Sequence, residues 1–133
     1  MLRGARTRTT AGLLSEFASR LEFPGYFGGT WDSLDECLAD LSWLPSRAYT
    51  VAIDNARLLL ESEPDSESRL RLFANLIEHV AAEWATPVSR GGALGRPAVP
   101  FHLVLQESPQ NYEVLVKRLT DFRIAAAQFE PQT

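Results

Sequence analysis

Leu13, Leu14, Phe17 and Leu21 recur at helical spacing behind Thr9 and Thr10, which predicts a first helix over about 10–22. Pro24, Gly25, Gly28 and Gly29 then break the pattern and force a loop, with glycine backbone available for positive φ. Leu34, Cys37, Leu38 and Leu41 restore a helical stripe, predicting a second helix over about 31–42 with Thr30 as N-cap and Pro45 beyond its end. The period changes to two at Tyr49, Val51 and Ile53, the mark of a strand. Leu58 to Leu60 reads as a short helical turn. From Ser66 to Ala85, Leu70, Phe73, Ala74, Ile77, Val80, Ala81 and Trp84 form one apolar stripe, the clearest helix in the chain. Residues 86–98 are polar and glycine-rich, a long surface loop. Phe101 to Leu105 is apolar on nearly both faces, as in a central strand, and places His102 as a core histidine. Ser108 and Pro109 open another helix with Tyr112, Leu115, Val116 and Leu119 on one side, and Ile124 to Phe129 is read as a final strand.

Strands separated by helices imply an α/β fold: a small three- to four-stranded, mainly parallel sheet flanked by helices. At 133 residues the chain is expected to form one domain, 1–133. Its core is expected over about 10–106, with residues 107–133 adding a C-terminal helix and a possible strand that extends the sheet.

Composition narrows the function. A net charge of −4 and a pI near 5.2 leave no excess of cations for phosphates, which argues against a general nucleic-acid binder. Cys37 is the only cysteine, so no internal disulfide forms and a reducing compartment fits. No apolar run approaches the roughly 20 residues needed to span a bilayer. The N-terminus carries Arg3, Arg6 and Arg8 without the apolar core of a secretory signal and reads as a frayed end. The expectation is a soluble cytoplasmic protein, monomeric or weakly dimeric.

Catalytic and metal patterns are thin. Cys37 lies on an apolar stripe, where a cysteine acts as a small buried hydrophobe. His79 and Glu83 have a metal-compatible spacing but no third convergent ligand, and a solvated helix pair is the better reading. Gly91-Gly92-Ala93-Leu94-Gly95 lacks the strand and the Lys-Ser/Thr of a phosphate loop. No enzyme, metal or cofactor is expected.

Charge is not evenly spread. Between Leu21 and Ser46 there is no lysine or arginine, yet Glu22, Asp32, Asp35, Glu36 and Asp40 are interleaved with Phe23, Tyr26, Phe27, Trp31 and Trp43. On the second helix Asp32, Glu36 and Asp40 are spaced by four, opposite the apolar stripe, with Asp35 beside them. Each such like-charge pair costs roughly 0.2–0.5 kcal/mol, and no cation on the helix relieves it. The positive end of the helix dipole favours Asp32 but fades within a turn. A solvated polar face accounts for charge alone. The adjoining Gly-aromatic loop adds rigid anchors beside charges that select a cationic partner.

The run FPGYFGGTWDSLDECLADLSWLP resembles the signature of the barstar family, small inhibitors of barnase-type ribonucleases. The resemblance rests on Pro24, Tyr26-Phe27, Gly28, Asp32, Leu34, Glu36, Cys37, Leu38 and Pro45; beyond them the following strand, long helix and strand agree in order. It implies a three-stranded parallel sheet flanked by helices and a binding role for Tyr26, Phe27, Gly28, Asp32 and Glu36; Trp31, Asp35 and Asp40 of the acidic, aromatic face complete the expected partner-binding set. Tyr26 and Phe27 would sit on the inhibitory loop, with Gly28 allowing its turn. Asp32 would face a cluster of arginines and lysines, and Glu36 would take the place of a phosphate-mimicking aspartate. The chain differs in having Glu36 one methylene longer, Asp35 and Leu41 where the family often has aromatics, no clear first strand, and a late acidic contact for which Glu78 and Glu83 are candidates. The implied function is an immunity protein that blocks a basic ribonuclease or related toxin, with no direct nucleic-acid or membrane partner. The alternative is a non-inhibitory interaction module on the same scaffold.

Overall fold

In a computed structural model, which describes residues 1–87 and 96–124, the elements are α1 (Thr10–Arg20), α2 (Trp31–Asp40), β1 (Tyr49–Ile53), α3 (Ser66–Ala85), β2 (Phe101–Leu105) and α4 (Tyr112–Asp121). Short 3-10 turns occupy Gly4–Arg6 and Ala56–Leu58. The glycine run 91–95 and residues 125–129 of the expected last strand lie outside the described residues.

β1 and β2 pair in parallel, from Tyr49 opposite Phe101 to Ile53 opposite Leu105, with α3 in the crossover between them. On the other edge of β1 a single residue, Leu2, forms a parallel bridge to Ile53: its N–H donates to Ala52 O at 2.7 Å, and Asp54 N donates to Leu2 O at 3.0 Å. Among the described residues the sheet is therefore small and parallel, as expected, with two strands and a one-residue remnant of a third. The chain leaves the sheet after Leu2 for local reasons. Arg3 N donates to the buried Glu16 carboxylate at 2.6 Å, and Gly4 N donates to Asp54 Oδ1 at 2.8 Å. A Cβ on Gly4 would lie 2.1 Å from Asp54 O, so only glycine can follow this path.

Helices cover the sheet through one apolar cluster. Phe17 of α1 meets Phe73 of α3 edge-on, ring centroids 5.9 Å apart, and Leu34 and Leu38 of α2 are fully buried with them. Trp84 Nε1 donates to Leu38 O at 2.7 Å, tying the end of α3 to the last turns of α2. His102 corrects the sequence reading: it is the one exposed position of β2, lying opposite the exposed Thr50 of β1, while its neighbours Phe101 and Leu103 are buried in the core cluster.

α4 buries Leu115 and Leu119 in the same cluster. Arg118 of α4 donates to Ser66 Oγ at 2.7 Å and to Arg57 O at 3.2 Å, while Arg71 of α3 donates to Phe122 O at 2.9 Å. This helix sits beside the Ala56–Leu58 turn and the start of α3, leaving the outward face of α2 open.

Candidate partner-binding face

The segment between α1 and β1 is held at both ends before any charge is considered. After α1, Glu22 takes a left-handed φ of 53°, and Phe23 N donates to Ala18 O at 3.0 Å. Phe27 N closes a turn on Pro24 O at 3.0 Å. The left-handed glycine is Gly29 (φ 70°); a Cβ on Gly28 would meet Ser33 at an ordinary 3.7 Å, so the turn role expected of Gly28 belongs to its neighbour. Thr30 then caps α2 as predicted. Its Oγ1 accepts Ser33 N at 3.1 Å while Ser33 Oγ accepts Thr30 N at 2.9 Å, a reciprocal capping box with serine in the usual Glu/Gln position. At the far end Leu41 adopts φ 47°, a left-handed conformation held by its buried side chain, and stops the helix two residues short of the predicted limit.

On this frame Leu34, Cys37, Leu38 and Leu41 are buried. Burial pushes the Cys37 thiol up, as expected of a packing cysteine and not of a thiolate nucleophile. Asp32, Glu36 and Asp40 are exposed on the other side, and Asp35 is half-buried. Among the described residues no hydrogen bond or ion pair engages Asp32, Asp35 or Glu36; the arginines Arg8, Arg20, Arg57, Arg69 and Arg71 pair with Glu61, Glu16, Glu107, Asp65 and Glu67. The expectation of uncompensated charge is met at those three positions. Asp40 is different: it accepts hydrogen bonds from the Tyr26 hydroxyl and from Ser42 N.

The aromatics divide into two roles. Tyr26 is 52% exposed, whereas Phe27 and Trp31 are half-buried against the core, Trp31 facing Phe73 at 6.3 Å. Trp43, which the sequence reading left outside the site, lies at the centre of the cluster. Its Nε1 donates to Leu21 O at 2.9 Å, and its ring meets Tyr26 and Phe23 edge-on at 6.2 and 6.0 Å. The available signal was its membership of the same acidic, aromatic stretch.

The chain matches the family model described as Barstar (barnase inhibitor) over residues 1–106. It belongs to the barstar family. Members of this family are inhibitors rather than enzymes, and the matched segment contains the whole barstar-like α/β fold described above except α4. No curated protein matches the chain. Other candidate chemistry stays sparse: His79 Nε2 lies 3.5 Å from Glu83 on an exposed helix face, and no group of three or more potential metal ligands occurs among the described residues. Nor is any helix among them long and apolar enough to cross a membrane.

Proposed function

We propose that this barstar-family chain inhibits a basic, barnase-type ribonuclease by binding it through loop 24–31 and the outward face of α2, without catalysing a reaction. The observation that carries the reading is the set Asp32, Asp35 and Glu36, held on a capped helix and left unpaired by the rest of the described chain. Carboxylates so placed can stand in for RNA phosphates in an arginine- and lysine-lined cleft, forming charge-assisted hydrogen bonds. Tyr26 and Phe27 would flank them, with Gly28, Trp31 and Asp40 completing the surface. Complementary charge of this kind sets association rate and partner choice, a rule for which the barnase–barstar complex is itself the reference system. A role as an immunity protein against such a ribonuclease or a related toxin, and a place in the cytoplasm beside the RNA it would protect, belong to the same reading.

The test is inhibition of barnase and of a panel of basic secreted ribonucleases at two salt concentrations. The expected result is a stoichiometric complex that weakens as salt rises. Asp32→Ala and Glu36→Ala should each weaken it by about 1.5–3 kcal/mol, the scale of a hydrogen bond to a charged group. Equal inhibition by the parent and both variants would overturn the site. The alternative, a non-inhibitory interaction module, draws on Asp35 and on α4 lying beyond the matched segment; it is the outcome if no ribonuclease is inhibited.

A further inference from the structure

Among the described residues, Asp40 is the one outward carboxylate of α2 that the chain itself engages. Its Oδ2 accepts the Tyr26 hydroxyl at 2.5 Å and its Oδ1 accepts Ser42 N at 3.3 Å, so both oxygens are occupied. Tyr26 is the exposed aromatic of the loop, and its ring leans on Trp43, which is pinned to Leu21 O at the end of α1. Phe23 joins the cluster by meeting Trp43 at 6.0 Å and Phe27 at 4.9 Å. These contacts close a circuit from the loop tip to the end of α2 and back to the start of the loop.

We infer that Asp40 is a positioning residue: it fastens Tyr26 to the last turn of α2 and thereby fixes loop 24–30 in its binding conformation before a partner arrives. The inference rests on the reading of this face as the partner-binding one. Two physical points support it. A carboxylate in the final turn of a helix faces the negative end of the dipole and needs a donor. A phenol supplies that donor without adding positive charge, whereas an arginine would hold Asp40 equally well and cancel the field that Asp32 and Glu36 present. The loop is also rich in glycine, and an unfastened loop would lose conformational freedom on binding, at a direct cost in affinity.

Two readouts test this, one of them needing no partner. Backbone amide exchange over residues 25–30 is compared in the parent, Tyr26→Phe, Asp40→Ala and the double variant. Each single change should accelerate exchange about tenfold, as loss of one charge-assisted hydrogen bond would, with no further gain in the double. With barnase as the probe, Asp40→Ala should weaken binding about tenfold in the parent background and have no effect in the Tyr26→Phe background. Unchanged loop exchange in Asp40→Ala, or an equal loss of affinity in both backgrounds, would overturn the positioning role and make Asp40 a direct contact. If the parent binds no barnase or other ribonuclease, the inhibitor reading falls, and the exchange experiment alone decides the role of Asp40.

Discussion

Tyr26 and Asp40 displace each other's titration in opposite directions. Partial burial and the hydrogen bond to Asp40 raise the Tyr26 hydroxyl above the ordinary tyrosine value near 10, while the same bond, aided by Ser42, lowers the Asp40 carboxyl below the ordinary value near 4. The neutral phenol is favoured in the fold, so its contribution is full below about pH 10 and fades as pH rises. The ionised carboxylate is favoured too, so its contribution is full above about pH 4 and fades as pH falls. Urea midpoints followed from pH 7 to pH 2 should therefore fall more for the parent than for Asp40→Asn; parallel curves would show that the bond does not contribute. In alkali, absorbance titration should find one fewer late-titrating tyrosine in that variant. None of this was readable in the sequence. The stripe spacing placed Asp32 and Glu36 outward because a helix converts residue number into direction. The Tyr26–Asp40 contact depends instead on the route of a glycine loop, which no periodicity encodes. His102 failed for a related reason, since a lone polar residue in an apolar run does not reveal which face of its strand is covered.

At the level of elements, the sequence was informative wherever a long stripe or a cap was present. α3 runs from Ser66 to Ala85 as its stripe predicts, and the Thr30 cap is found with its partner Ser33. Thr30→Ala removes the acceptor for Ser33 N and should cost about 1 kcal/mol by chemical denaturation. It should also speed amide exchange in the first turn of α2, where Asp32 stands, and so weaken any partner that reads that carboxylate. The end of α2 was less legible: Pro45 announces a stop but not the left-handed Leu41 that makes it at Asp40. The first strand was illegible because it is one residue long, and it is recognised only by the hydrogen bonds of Leu2 on either side of Ile53.

Taken whole, the molecule keeps its acidic face and its extra helix apart. The matched segment ends at residue 106, yet the next residue, Glu107, is buried and accepts from Arg57 Nη1 at 2.9 Å and from Arg57 N at 3.0 Å. Leu115 and Leu119 then join the common core. Truncation after Gln106 should accordingly lower stability by about 3 kcal/mol or more, given roughly 1.5–3 kcal/mol for each fully buried leucine, measured as a drop in urea midpoint. If the truncated chain is as stable as the parent, α4 is an appendage and not part of the fold.

That separation has a practical side. Lys117, the sole lysine of the chain, projects from α4 and pairs with the exposed Asp121 at 3.1 Å. Reagents that seek an ε-amine therefore meet a single side-chain handle, remote from the acidic helix. A fluorophore or biosensor surface attached there would leave Asp32 and Glu36 looking into solution, whereas carbodiimide coupling would consume the very groups under study.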